Sequence, residues 1–233
     1  MSDRFVIWDF DGTLAWREGM WSGAVMEVLD EREHGHGVVI ERIRAGMRNG
    51  YPWDSWSEPH PQLCERGRWW EQVQRRIARA LEDAGIGAAR AGELADAVRE
   101  RYLDVTIGWR LFDDTLPALR TLRERGWRNV VLSNHVPELG DLVDGLGLSP
   151  HLDDVFSSGL TGYEKPHPEA FRLVLAACGH PEHAWMVGDN PHADVEGAEG
   201  VGLSAILVRS EGRARHRADG LDGAAALILA GGR

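Results

Sequence analysis

Residues 5–14 of the chain read FVIWDFDGTL, and this stretch decides the fold. Its apolar first half predicts a strand that is buried on both faces. The strand runs into two carboxylates, Asp9 and Asp11, which would project together because residues i and i+2 of an extended backbone share a face. Two like charges held so close are costly unless a cation or a shared proton relieves them. A simple Asp-Gly turn would need only one carboxylate, so the pair indicates a functional site.

The next part of the chain, residues 16–106, has helical rather than strand-like patterning. A Pro-rich stretch at 50–61 predicts a loop between the second and third of four helical sets. The apolar residues of these sets are Ala24, Val25, Val28 and Leu29; Val39, Ile43 and Met47; Trp70, Val73, Ile77 and Leu81; and Leu94, Val98, Tyr102 and Val105. Because no good strand pattern interrupts them, we expect residues 16–106 to form an all-helical insert in a core of residues 1–15 and 107–233.

Strand and helix patterns alternate from Trp109 onwards. Four apolar runs predict strands at residues 130–132, 155–156, 185–187 and 205–208, with helices between them. This alternation predicts a parallel, doubly wound, Rossmann-like α/β sheet. In such sheets, ligands bind outside the carboxyl ends of the strands. Several predicted strands end there in polar residues, namely Asp9, Ser133, Ser157 and Asp189.

The chain beyond residue 208 has weaker patterning. Four arginines follow the last predicted strand and indicate a solvated basic loop: Arg209, Arg213, Arg215 and Arg217. Residues 224–226 belong to a small Gly/Ala-rich tail.

Three further stretches place polar residues after the first motif in a set order. Ser133 follows an apolar strand, Lys165 precedes Pro166, and residues 188–194 read GDNPHAD. Together with DFDGT at residues 9–13, they resemble the four motifs of the haloacid dehalogenase-like (HAD) superfamily, in the correct order. The helical insert also resembles the cap that lies between the first and second motifs in part of that superfamily. The resemblance therefore implies a HAD core with a helical cap at residues 16–106.

The resemblance also implies roles for the acidic residues. Asp9 would be the nucleophile that forms an aspartyl-phosphate, and Asp11 the general acid/base. That division requires environments that separate the two carboxyl pKa values. A Mg²⁺ ion would be bound by the Asp9 carboxylate, the Asp11 backbone carbonyl and Asp189. Asp194 would be a further ligand or would orient the others from outside.

The remaining motif residues would bind the phosphoryl group. By the same resemblance, Ser133 would hydrogen-bond a phosphoryl oxygen, and Lys165 would supply positive charge to the transferring group and to Asp9. Backbone amides around Gly12 and Asn134 would hold the other oxygens. We expect His135 to be packed or solvated rather than to face substrate. Since the chain has no clustered His or Cys residues, no zinc site is expected.

Composition limits the partners and the compartment. The formal net charge of −11 argues against non-specific binding to nucleic acid or to an acidic membrane, both of which need a basic surface. The chain has no apolar run long enough for a membrane helix, and its first residues lack the apolar region of a signal peptide. With only Cys64 and Cys178 as thiols, we expect a reduced, cytoplasmic protein without a disulfide framework.

The function implied is a Mg²⁺-dependent phosphatase that acts on a small phosphorylated metabolite. Asp11 disfavours the dehalogenases of the superfamily, which lack this second Asp. Phosphonatases use a cap lysine, whereas Lys165 is the only lysine of this chain. A phosphomutase of the β-phosphoglucomutase kind would keep all four motifs and protect the aspartyl-phosphate from water. A non-catalytic HAD-fold protein is the remaining alternative, although such proteins typically lose Asp9, Asp11 or Lys165.

The tryptophan content of the helical insert is the other unusual feature. Six of the ten tryptophans fall between residues 16 and 70: Trp16, Trp21, Trp53, Trp56, Trp69 and Trp70. They could line the mouth of the pocket and stack on a ring, but we expect most of them to pack the insert against itself. Trp53 and Trp56, in the Pro-rich loop, are the better candidates for contact with a ligand or a partner.

Overall fold

The computed structural model describes residues 4–231, so residues 1–3 and 232–233 of the expected core lie outside the described residues. A six-stranded parallel sheet, in the order β5-β4-β1-β6-β7-β8, forms its centre. The strands are β1 (Arg4–Trp8), β2 (Ala15–Arg17), β3 (Trp109–Leu111), β4 (Arg128–Ser133), β5 (Asp154–Ser157), β6 (His183–Gly188), β7 (Ser204–Val208) and β8 (His216–Ala218). Strands β2 and β3 form a separate antiparallel ribbon.

Residues 4–231 contain ten α-helical segments, which surround the sheet or lie between β2 and β3. They are α1 (Met20–Arg32), α2 (Ile40–Gly46), α3 (Arg66–Asp83), α4 (Ala88–Leu103), α5 (Thr115–Glu124), α6 (Leu139–Gly145), α7 (Ser158–Thr161), α8 (Pro168–Ala177), α9 (Gly197–Gly200) and α10 (Leu221–Gly231). A π-helical turn, Pro191–Glu196, precedes α9, and short 3₁₀ turns occur at Pro52–Ser55, Pro61–Leu63 and Ser149–His151. Within residues 4–231, no helix is both long and apolar enough to cross a bilayer.

Strand β1 lies in the middle of the sheet and is covered on both faces. Val6 and Trp8 face an apolar core that includes residues of α5 and α10, whereas Phe5 and Ile7 face a second core formed with α8. Each face is buried because the strand alternates its side chains between two layers of helix. This arrangement confirms the predicted doubly wound α/β fold.

The carboxyl ends of β1, β4 and β6 meet at one edge of the sheet. Trp8 is in register with Val131 of β4 on one side and with Val187 of β6 on the other. The chain therefore leaves these three strands at the same level, and residues just beyond them are neighbours in space. The candidate site lies at this edge.

The segment between β2 and β3 is helical, as expected, and contains no strand between residues 18 and 108. Trp69 and Trp70 of α3 are buried, and the ring of Trp21 stacks on that of Tyr102 with centroids 3.8 Å apart. Trp53 stacks on Tyr51 with centroids 4.6 Å apart. Most of the tryptophans therefore pack the segment itself. The exceptions are Trp16 and Trp56, which are each 37% exposed.

The chain after β7 differs from its prediction. The basic loop includes strand β8, and Arg209 lies over the Phe112 ring and pairs with Asp114 rather than with solvent. Strand β8 is a three-residue edge strand that pairs only with β7. Such a strand needs no apolar run, so the sequence pattern did not predict it. The Gly/Ala-rich tail forms α10, because alanine favours helix and small side chains allow close packing on β8.

Candidate active site

The structure brings Asp9, Asp189, Asp194 and Lys165 together at the carboxyl edge of the sheet. One oxygen from each of the three carboxylates lies within 4.8 Å of the others. Asp9 follows β1 directly, and Asp189 follows β6 directly, so the parallel register places them side by side. Asp194 reaches the same point from the π-helical turn five residues later.

The loop after β1 is tight enough to present Asp11 and Gly12 beside Asp189. The Phe10 carbonyl accepts hydrogen bonds from the amides of Leu14 and Ala15, each at 3.0 Å. Gly12 has φ +74°, and a Cβ at this position would overlap the Asp189 carboxylate. Glycine is therefore required here both for the left-handed backbone and for the close approach of the carboxylate.

Lys165 is a buried cation held between two carboxylates. Its Nζ lies 2.9 Å from Asp9 Oδ1 and 2.6 Å from Asp194 Oδ1, and its side chain is 1% exposed. Burial opposes the charge on Lys165, but the charges of Asp194 and Asp9 outweigh it and raise the lysine pKa above its ordinary value. Lys165 therefore stays charged, and both partners are held in place.

Asp194 is the second carboxylate partner of Lys165 and lies in the π-helical turn after β6. It is fully buried, and its Oδ2 accepts a hydrogen bond of 2.9 Å from the Asn190 backbone amide. Burial raises the pKa of Asp194 to about 7, against the opposing effect of Lys165. Gly188 leaves room for this carboxylate, since a Cβ there would overlap it. Asn190 caps the π-helical turn, and His192 is the second residue of that turn.

Asp189 is half-buried and carries the third carboxylate of the cluster. Its Oδ1 accepts a hydrogen bond of 3.3 Å from the Thr13 hydroxyl. Burial, followed by the charge of Asp9, raises the pKa of Asp189 to about 6. Mg²⁺ binds oxygen ligands such as these three carboxylates. A bound cation would also offset the repulsion between their negative charges.

Asp11 has a different environment from Asp9. Its Oδ2 lies 3.5 Å from His135 Nε2, whereas its Oδ1 is buried and has no hydrogen-bond partner among the described residues. Burial, together with the charges of Asp9 and Asp189, raises the pKa of Asp11 well above its ordinary value, and Lys165 only partly opposes this. The Asp11 side chain is not part of the three-carboxylate cluster, so only its backbone carbonyl stays a candidate metal ligand.

The predicted phosphate-binding residues occupy the rim of the same edge. Ser133 ends β4, is buried, and has no hydrogen bond from its hydroxyl to another residue of the 4–231 range. The Asn134 side chain, by contrast, clamps the Lys165 backbone. Its Nδ2 donates to the Lys165 carbonyl at 2.8 Å, and its Oδ1 accepts from the Lys165 amide at 2.6 Å. The sequence predicted a role only for the Asn134 backbone amide, so this side-chain contact was not expected.

Two further buried ionisable residues lie near the site, and the sequence predicted a role there for neither of them. His135 is 2% exposed, as expected for a packed residue, yet it contacts Asp11, and burial lowers its pKa to about 3. Glu164 precedes Lys165, and burial raises its pKa to about 7. The only signal for either residue was its position next to a motif.

The helical segment reaches the site through several contacts with the core. The Tyr102 hydroxyl lies 3.5 Å from His135 Nε2. Glu138, at the start of α6, accepts a hydrogen bond of 2.9 Å from the Trp70 indole and one of 3.2 Å from Arg99. The ring of Trp56 lies 5.5 Å from that of His192. The segment therefore contacts residues that lie near the edge that holds the carboxylates.

Comparison with known proteins identifies the family of this site. The model of the haloacid dehalogenase-like hydrolase family matches residues 4–202, which include all four motifs. The chain belongs to the haloacid dehalogenase-like hydrolase family. It is thus a hydrolase with a HAD core.

Individual relatives and structures support the same assignment. The chain is 35% identical over 227 residues to a phosphoserine phosphatase of Thermus thermophilus, covering 88% of each chain. It is 32% identical over 213 residues to haloacid dehalogenase-like hydrolase domain-containing protein 3 of Mus musculus, covering 88% of this chain and 81% of the relative. Its fold is similar to that of L-2-haloacid dehalogenase from Xanthobacter autotrophicus, with a TM-score of 0.68, 21% identity, and coverage of 98% and 99%.

Proposed function

We propose that this HAD-like hydrolase is a Mg²⁺-dependent phosphatase that cleaves a small phosphorylated metabolite through an aspartyl-phosphate on Asp9. The observation that carries the proposal is the unequal environment of two adjacent carboxylates. Asp9 is bound to the Lys165 ammonium, whereas Asp11 faces His135 and has a free oxygen. The phosphatase name of the relative from Thermus thermophilus supports a phosphate monoester as substrate.

Asp9 would act as the nucleophile. Its carboxylate oxygen bonds to phosphorus while the bond from phosphorus to the ester oxygen breaks, which transfers the phosphoryl group to the enzyme. Lys165, fixed 2.9 Å from Asp9 Oδ1, holds the carboxylate in place and offsets negative charge on the phosphoryl oxygens. Ser133 and the amides near Gly12 and Asn134 would bind those oxygens.

Asp11 would transfer protons in both half-reactions. It gives its proton to the departing ester oxygen and then, as a carboxylate, takes a proton from the water that attacks the aspartyl-phosphate. Hydrolysis regenerates the Asp9 carboxylate and releases inorganic phosphate. The raised pKa of Asp11 is consistent with a carboxyl that holds a proton when the ester binds.

The metal site would be formed by Asp9, Asp189, Asp194 and the Asp11 backbone carbonyl. The carboxylates converge, and the donors are all oxygens, which fits Mg²⁺ and not a soft metal. Bound there, Mg²⁺ supplies positive charge that stabilises both the crowded carboxylates and the transferring phosphoryl group. Because Asp194 Oδ1 is engaged by Lys165, Asp194 is better suited to orient the site than to be a principal ligand.

We also propose that residues 16–106 form a cap over a core of residues 1–15 and 107–233. The contacts of Tyr102, Trp70 and Trp56 with the core support a segment that closes over the carboxylates and keeps bulk water out. Cys64 and Cys178 are both free thiols, which agrees with a reducing cytoplasm.

Phosphate release from a panel of phosphorylated metabolites, with and without Mg²⁺, tests the proposal. We expect hydrolysis of at least one ester by the wild type with Mg²⁺, and a loss of about 10³-fold or more in Asp9→Asn and Asp11→Asn. Asp83→Asn, which changes an exposed carboxylate of α3, should leave the rate unchanged. Equal inactivity of wild type and Asp9→Asn on every ester would refute the proposal. If the enzyme rapidly isomerised a sugar phosphate in the presence of the corresponding bisphosphate activator, and hydrolysed it only weakly, the result would indicate a mutase.

A further inference from the structure

We propose that His135 is a positioning residue for the general acid Asp11, which it orients by donating a hydrogen bond from Nε2 to Asp11 Oδ2. The proposal rests on the proposed phosphatase function and deepens it. His135 lies outside the four motifs. It follows Ser133 at the end of β4 and contacts Asp11, which follows the neighbouring strand β1. Nε2 lies 3.5 Å from Asp11 Oδ2 and 3.5 Å from the Tyr102 hydroxyl.

The His135 ring is fixed in this orientation by its surroundings. The ring of Phe10 meets it edge to face with centroids 5.4 Å apart, and the Trp109 ring lies 5.7 Å away. Its backbone is also held, because its amide donates to the Ser158 hydroxyl at 3.0 Å and its carbonyl accepts from the Ser157 hydroxyl at 2.8 Å. A ring this constrained can hold a partner at one angle.

The surroundings also select the tautomer. Nδ1 is buried without any hydrogen-bond partner among the described residues. A proton on Nδ1 would be a buried donor without a hydrogen-bond partner, which is unfavourable, so the neutral ring carries its proton on Nε2. Asp11 Oδ2 and the Tyr102 oxygen each lie 3.5 Å from that nitrogen.

A donor at Asp11 Oδ2 decides which oxygen performs the chemistry. Oδ2 lies 3.5 Å from the imidazole Nε2 and would accept its N–H, so the acidic proton belongs on Oδ1, the oxygen that has no hydrogen-bond partner among the described residues. When the proton passes to the ester oxygen, the imidazole N–H also stabilises the carboxylate that is left, since a hydrogen bond to an ionised acceptor is stronger than one to a neutral acceptor. His135 therefore assists the step in which the leaving group is protonated.

The test compares substrates whose leaving groups differ in their need for a proton. An alkyl phosphate needs acid catalysis, whereas nitrophenolate leaves without it. We expect His135→Phe to reduce kcat/KM, which reports only on the steps up to release of the alcohol or nitrophenolate, about 30-fold for the alkyl ester and less than about threefold for 4-nitrophenyl phosphate. His135→Gln, whose amide N–H can approach the position of Nε2, should recover most of the loss on the alkyl ester.

Matched variants separate this role from a structural one. His216→Phe changes a histidine packed against Trp185 at the far edge of the sheet and should affect neither substrate selectively. If His135→Phe does not fold, His135→Met makes the same comparison. Equal losses on both substrates, or no recovery in His135→Gln, would overturn the proposal while leaving the phosphatase function intact. The alkyl ester is one that the panel of phosphorylated metabolites shows to be hydrolysed, so absence of wild-type hydrolysis of every member of that panel would instead refute the proposed function.

Discussion

Lys165 shows how a single residue organises the site. It is the only lysine in the chain, it is buried, and its ammonium connects Asp9, the proposed nucleophile, to Asp194. A buried cation is tolerated only when it is paired, so removing it leaves two carboxylates without their counter-charge. The raised pKa of Asp194 indicates that this carboxylate would then take up a proton.

Lys165→Met should therefore lower kcat by about 10²–10³-fold, the range found when a single stabilising donor is removed from an active site. Lys165→Arg should recover only part of the rate, because the larger planar guanidinium does not fit the space between the two carboxylates. Phosphate release at saturating substrate, with circular dichroism to verify folding, measures both. A rate in Lys165→Met within a few fold of wild type would contradict the assigned role.

Glu164 gives a prediction for stability rather than for activity. Its pKa is about 7 in the folded protein and 4.5 ordinarily, because burial disfavours the charged form. Between pH 4.5 and about 7, the Glu164 carboxyl is ionised in the unfolded chain but still protonated in the folded chain. Its effect on the free energy of unfolding therefore becomes more destabilising as the pH rises through this range, and it is constant above about pH 7. Glu164→Gln should then stabilise the protein at pH 8 by up to about 3 kcal/mol, with the gain vanishing towards pH 4.5.

Urea denaturation across this pH range measures the effect. Glu169→Gln, which changes an exposed residue paired with Arg172, serves as the control and should shift the free energy of unfolding by less than about 0.5 kcal/mol at any pH. A gain for Glu164→Gln that is the same at both ends of the range would show that its cause is not titration.

Residues of the site differ in how far the sequence could predict them. Asp9, Asp189 and Lys165 lie in motifs whose order and spacing are visible in one chain, and the structure gathers them. The Asn134 side chain, His135 and Glu138 depend on which loops fold next to each other. No local pattern shows that contact, because it arises from tertiary packing.

At the scale of elements, regular periodicity decided what could be predicted. Strands β1, β4, β6 and β7 are buried apolar runs, and α3 and α5 repeat apolar residues at helical spacing, so their patterns revealed them. Strand β8 and the β2–β3 ribbon are three residues long, and their stability comes from a neighbouring strand. Helix α10 is apolar on most sides, so it lacks the regular alternation of apolar and polar faces that reveals an amphipathic helix.

The contact of Glu138 with α3 and α4 joins the helical segment to the core. Its two carboxylate oxygens accept hydrogen bonds from Trp70 and Arg99, and the Trp70 indole is fully buried. Glu138→Ala should lower the free energy of unfolding by about 1–3 kcal/mol, because a buried N–H loses its partner. Glu82→Ala, which removes an exposed ion pair with Arg79, should cost less than about 1 kcal/mol.

Chemical denaturation of both variants makes this comparison. If Glu138→Ala were no less stable than Glu82→Ala, the connection between the segment and the core would not depend on Glu138. A stability loss with unchanged kcat for substrate would show that the contact acts on structure and not on the chemistry.

For the whole molecule, alternating strands and helices, a helical insert and four ordered motifs were enough to predict the architecture. The sheet order and the position of the insert against the carboxyl edge were not, since they depend on how separate elements pack. That packing creates the crowded carboxylates of Asp9, Asp189 and Asp194, and hence the expected metal site.

Binding of Mg²⁺ should therefore stabilise the whole fold. A ligand that binds only the native state at a hundredfold excess over its dissociation constant contributes about 2.7 kcal/mol. We expect Mg²⁺ to raise the melting temperature of the wild type but not that of Asp189→Asn, whereas Asp30→Asn, at an exposed position of α1, should respond like the wild type. The same shift in all three proteins would place the ion elsewhere.

In the proposed mechanism, phosphoryl transfer passes through a covalent aspartyl-phosphate on Asp9. Trapping this intermediate is the most direct test of the mechanism. In Asp11→Asn, 4-nitrophenyl phosphate should still transfer its phosphoryl group, since nitrophenolate needs no proton, but water attack should be slow. We predict a burst of nitrophenolate close to one equivalent of enzyme, followed by slow turnover. Borohydride reduction of the acid-quenched protein should convert residue 9, and no other, to homoserine. Turnover of the ester without a burst and without modification of Asp9 would contradict the account.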